Sequence, residues 1–243
     1  MKKTTTLFIV ATGLTTLVVY AAVQTAYDGW NSNGTNTVID GYQAIAFGED
    51  NEAYLESLAG GYDNVATLRA IAMGISNYSD GGSAAFGMGN YADDQALAVG
   101  SGNTVPNGGG AIGTNNNIPA GGSVALGYGN VAGMDDGDGY GNILIGRFNT
   151  AAPLGSYTEE NILIGEGNSS GGVKAWAIGK GNIAQTETLT LGTYADPVTN
   201  ASVIIGTGHG AGVGERENGL VVFKNGDVVI PKVQGDISMG DYQ

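Results

Sequence analysis

Three aspartates, Asp135, Asp136 and Asp138, form the densest carboxylate cluster of the chain, and oxygen-rich loops of this kind can hold a hard cation such as calcium. A standard twelve-residue calcium loop does not fit. Counted from Asp136, the fifth position falls on Tyr140 and the twelfth on Arg147, where a carboxylate belongs. An irregular calcium site and a solvated acidic loop both stay open. Tyr140, Tyr157, Glu159 and Glu160 lie nearby in the sequence and are candidate contacts for an extracellular protein or glycan. Tyr128 and Trp176 are further aromatic candidates, but Trp176 opens the run Trp176-Ala177-Ile178-Gly179 and suits core or chain–chain packing equally well. Catalysis has little to work with: there is one histidine, His209, there is no cysteine, and no motif places two acids across a cleft. No enzyme is expected, and no cofactor beyond the calcium alternative.

What must position these residues is a repeat. Twelve short apolar runs each end on a glycine: Gly48, Gly61, Gly74, Gly87, Gly100, Gly113, Gly127, Gly146, Gly165, Gly179, Gly192 and Gly206. Ten of them are followed three residues later by an asparagine, among them Asn51, Asn77, Asn90, Asn103, Asn130, Asn168 and Asn182. Most steps are 13 or 14 residues, and two are 19. Self-similarity at a fixed period is the signature of a solenoid in which each coil buries apolar surface against its neighbours. The expected fold is therefore all-β, with about twelve short coils stacked to roughly 55–60 Å at strand spacing.

Runs such as Ala44-Ile45-Ala46-Phe47-Gly48 and Ser123-Val124-Ala125-Leu126-Gly127 are apolar or small at both parities, so both faces need cover. The expectation is that large residues fill the coil while the alanines and serines face a partner chain closely. Glycine and asparagine are expected as turn residues, supplying left-handed backbone and local hydrogen bonds along one edge. His209 stands where other coils have the asparagine, so a turn role is expected for it too. The extra residues of the long steps, within 131–141 and 150–160, are expected as loops on the flank and form the best site candidate.

Residues 1–26 open with Lys2 and Lys3, continue through an apolar stretch and reach small residues, which reads as a secretion signal or, if uncleaved, an N-terminal membrane anchor. Residues 27–43 read as a leader or capping segment, 44–212 as the repeat domain and 213–243 as a C-terminal hairpin and tail, the hairpin turning at Asn225-Gly226. The expected location is secreted or on the cell surface. The chain carries 23 acids against 9 Lys and Arg, a formal charge of −14. Such a field disfavours nucleic acid and anionic lipid as partners.

Units of the form Ser-Val-Ala-Leu-Gly and Ala-Ile-Ala-Phe-Gly, followed by a Gly/Asn turn, resemble the head repeats of YadA-like trimeric autotransporter adhesins from about Ala44 to His209. The resemblance implies a left-handed parallel β-roll, a homotrimer with chains side by side, and adhesion to cells or matrix. Within these residues there is neither a heptad stalk nor the strand pattern of the family's outer-membrane barrel. A passive spacer or extracellular filament subunit is the alternative reading.

Overall fold

The structure is a computed structural model describing residues 36–39, 44–119, 121–133, 139–151, 158–212 and 214–231. Among these residues there is no helix. Twelve parallel strands, from Ile45–Glu49 to Ala201–Thr207, lie side by side in one sheet. The repeat glycines stand directly opposite one another, Gly48 against Gly61, Gly113 against Gly127 and Gly192 against Gly206. Short return strands, such as Val65–Ala66, Tyr78–Ser79 and Tyr91–Ala92, stack in parallel on the other side of each coil. The solenoid expected from the period is the fold.

The side-chain parity is the reverse of the expected one. Ala46, Ala59, Ala72, Ala85, Ala98, Ala111, Ala125 and Ala177 are buried inside the coil, whereas Leu97, Ile112, Val124, Leu126, Ile143 and Ile145 point outward and are exposed. The reason is room. A 13-residue coil closes two strands over a single layer of side chains, and close-packed interiors reject added volume. Leu144 and Leu163 are fully buried at the same row, and both belong to the 19-residue coils.

The repeat glycines up to Gly192 have the expected left-handed φ and the asparagines the expected local backbone bonds, as from Asn51 Nδ2 to the Phe47 and Glu49 carbonyls, but both stand elsewhere than at an edge of turns. Each repeat glycine lies inside its strand, one residue before the strand's end. From Gly48 to Gly192, Gly74, Gly87, Gly100, Gly127, Gly146, Gly165 and Gly179 included, φ runs from 96° to 128°. A Cβ on any of these would stand 1.9–2.3 Å from the carbonyl oxygen of the next coil's glycine. Gly206 alone lacks the left-handed φ.

The asparagines are core residues and not an edge of turns. Asn51, Asn64, Asn77, Asn90, Asn103, Asn130 and Asn182 are buried to 1% exposure or less. The Asn103 Nδ2 donates to the Gly113 carbonyl at 3.0 Å, and its Oδ1 accepts from the Asn116 backbone N–H at 3.1 Å. Repeated from Asn36 through Asn168 to Asn182, this makes a continuous internal ladder that ends on the Ala195 N–H. The left-handed glycine thus aims its carbonyl at the previous coil's asparagine, so the two residues recur together. The turn positions are others: Asp50, Asp63, Ser76, Asn115 and Phe148, two residues after the glycine, take φ near 55°.

A second, shorter ladder supports the long coils. Ser123 Oγ accepts from the Asn142 N–H, Asn142 Oδ1 from the Asn161 N–H, and Asn161 Oδ1 from the Ala175 N–H. After Gly206 the chain reverses. Asn218–Phe223 pairs antiparallel with Ala201–Thr207, and Val228–Val229 pairs antiparallel with Asn218–Phe223 across the Asn225-Gly226 turn. The expected hairpin is present.

Candidate functional site

Both insertions leave the coil at one corner, after the short strands Val131–Ala132 and Thr150–Ala151. Because their coils are adjacent, they can pair: Gly139–Tyr140 and Thr158–Glu159 form a two-stranded parallel flange, closed by the Glu160 N–H on the Tyr140 carbonyl at 3.1 Å. Three of the expected contact residues, Tyr140, Glu159 and Glu160, are therefore brought together. Tyr140 is 52% exposed, and Glu160 lies 3.9 Å from Lys174. Tyr157, Asp135, Asp136 and Asp138 lie outside the described residues. Among the described residues, no group of three His, Cys, Asp or Glu is arranged to hold a metal.

The outward face of the twelve long strands is apolar along two rows. Two rows flank each buried alanine, one three residues before the glycine and one immediately before it. Leu97, Val124, Ile143 and Trp176 belong to the first; Ile112, Leu126, Ile145, Ile178 and Ile205 belong to the second, and all are exposed. Trp176 thus sits in the outer apolar row and not in the core. The hairpin continues the surface, since Val222 pairs with Val203 and Leu220 with Ile205.

A third outward row follows the glycines and changes character along the rod. It reads Tyr62, Ile75 and Met88 early, and Arg147, Glu166 and Lys180 later. Arg147 Nη2 lies 2.9 Å from Glu166 Oε1, and Lys180 Nζ lies 3.8 Å from Oε2. The hydrogen bond from Arg147 holds the Glu166 carboxyl below the ordinary range. Tyr128, in the same row before Arg147, meets Phe148 edge to face, with ring centroids 5.1 Å apart.

The short-strand side is polar by contrast. Tyr78 and Tyr91 stack with centroids 5.0 Å apart. Tyr54 donates to Glu52 at 2.7 Å, Tyr91 donates to Asp93 at 3.3 Å, and Thr67 donates to Asp80. Burial, followed by the neighbouring Asp80 and Asp93 carboxylates, pushes the Tyr78 phenol up, and the hydrogen bond to Glu52 does so for Tyr54. His209 is exposed, and its backbone N–H bonds the Glu215 carbonyl at 3.0 Å, outside the asparagine ladder.

Scanned against protein-family models, curated proteins and solved structures, the chain matches none.

Proposed function

We propose that this chain is an exported, adhesin-head-like surface module in which three copies associate through the outward apolar face of the long strands. The short-strand side and the flange then stay in water to meet an extracellular protein or glycan. One observation carries this reading. Two apolar rows run the length of a twelve-strand sheet, about 55 Å at strand spacing, while soluble monomers rarely expose contiguous apolar patches beyond a few hundred Å². The polar third row of Arg147, Glu166 and Lys180 suits a wet rim beside a covered core. The number three and the adhesive role come from the resemblance to YadA-like heads.

Light scattering coupled to size exclusion on residues 27–243 tests the association, and a stable monomer would sink it. The adhesive role is tested by trimming residues 134–138 and 152–157 and measuring attachment to cells and matrix. Lost attachment at unchanged native mass supports a ligand contact at the flange. Attachment indifferent to both cuts would sink the flange assignment. The filament alternative is favoured by Val228, Val229 and Ile230, which are 59%, 44% and 48% exposed on and just after the last strand of the sheet. A mass that keeps growing with concentration would mark end-to-end joining at that edge.

A further inference from the structure

Tyr78 and Tyr91 open neighbouring short strands, Tyr78–Ser79 and Tyr91–Ala92, and stand directly opposite each other across one parallel rung. A rung is about 4.8 Å, so two aromatic rings that leave it on the same side are held face against face. Their centroids are 5.0 Å apart and their planes 5° from parallel. Both rings are half-buried on the outward side, because the residues after them, Ser79 and Ala92, are the ones that fill the coil. Tyr54, Tyr62, Tyr128 and Tyr140 also lie in strands, but they stand opposite Ile39, Ile75, Arg147 and Glu159. Among the described residues, one rung therefore sets two phenols in register.

Each of these phenols has a carboxylate beside it. Tyr91 Oη donates to Asp93 Oδ2 at 3.3 Å, and Asp80 neighbours Tyr78. Backbone donors hold both acids in place: the Asp94 N–H lies 2.7 Å from Asp93 Oδ1, and the Gly81 N–H 2.7 Å from Asp80 Oδ1. A positioned carboxylate can take a proton as the group it serves reacts. Loss of an electron makes a phenol's proton strongly acidic, so an acceptor already bonded to it eases the oxidation. The chain has no cysteine, and no disulfide can tie one coil to the next.

We propose that Tyr78 and Tyr91 form a site of oxidative cross-linking, at which a peroxidase-type oxidant joins them as a dityrosine and staples two successive coils. Each phenol gives one electron to the oxidant and its Oη proton to the adjacent carboxylate. The two ring radicals then form one carbon–carbon bond between Cε atoms, and the hydrogens on those carbons move to the oxygens to restore both phenols. Two electrons and two protons leave in all, and hydrogen peroxide takes them up as it becomes two molecules of water. The half-exposed rings need only tilt toward each other for the Cε atoms to meet. Export, as proposed above, is where such an oxidant would be met, but the pair lies within one chain and does not depend on association.

The test treats the full chain with a haem peroxidase and hydrogen peroxide and follows dityrosine fluorescence. Cleavage at aspartate then parts Tyr78 from Tyr91 at Asp80, so a link between them shows in mass spectrometry as two peptides joined with the loss of two hydrogens. That joined pair is expected as the main product, on chains that keep single-chain mass in a denaturing gel. It should vanish in Tyr78→Phe and in Tyr91→Phe, which keep a ring to stack, and fall severalfold in Asp93→Asn. The linked chain should also unfold at a higher denaturant concentration, because a covalent staple constrains the unfolded state. Absence of the joined pair overturns the inference, as does a product confined to Tyr62, Tyr128 or Tyr140 or to links between chains. Equal yield in Asp93→Asn overturns the part given to the carboxylate. Native mass measured before treatment reports separately whether the three-copy reading holds.

Discussion

At the scale of single residues, the fold depends on a contact between glycine and asparagine that neither could make alone. Asn103→Ala would orphan the Gly113 carbonyl and the Asn116 N–H inside the coil, each at about 1–3 kcal/mol, so a denaturant melt should show far more loss than for an outward polar substitution. Gly113→Ala should be at least as damaging, because its Cβ would stand 1.9 Å from the Gly127 carbonyl oxygen at a φ of 128°. The phenols of Tyr54, Tyr78 and Tyr91 make a different prediction. Their folded values lie above the ordinary 10.0, so the stability they contribute is complete below pH 10 and is lost as pH rises through those higher values. Absorbance of phenolate should therefore appear later in the folded chain than in urea, and a melt series above pH 10 should show falling stability.

At the scale of the strand and the coil, period and register were open to reading in the sequence, because a left-handed glycine recurs wherever one coil must approach the next. The direction of the side chains was not. A run such as Ala96-Leu97-Ala98-Val99 is apolar at both parities, so only the width of a two-strand, 13-residue coil decides that the alanines go in. The asparagine's local chemistry suits a turn, whereas the ladder depends on the neighbouring coil. Two further signals stand in the sequence. Asn142 and Asn161 each precede Ile-Leu-Ile-Gly, marking the second ladder, and Pro197 marks the end of the short-strand sheet. Coil width also predicts an asymmetry: Leu144→Ala should cost about 2–5 kcal/mol as a cavity, while Ala125→Leu should cost about 1–3 kcal/mol by overpacking. Chemical denaturation of the two variants measures both.

At the scale of the whole molecule, the proposed association through the outward apolar face is the property most sensitive to single charges. Ile145→Lys should lower the native mass in light scattering while leaving far-ultraviolet circular dichroism intact, because Ile145 is 38% exposed in the outward row and the buried row beside it is Leu144. The same variant should bind more of an apolar-surface dye if copies shield that face in the native assembly, and less if the face is already open. The unbroken glycine–asparagine column has a further consequence for length. Since every coil presents its neighbour with the same carbonyl and the same amide, a segment such as 88–100 can be duplicated or removed as a unit without changing what the flanking coils meet. The array is in this sense a ruler graduated in steps of about 4.8 Å. Its length therefore changes by whole coils, with the flange and the C-terminal hairpin carried along unchanged.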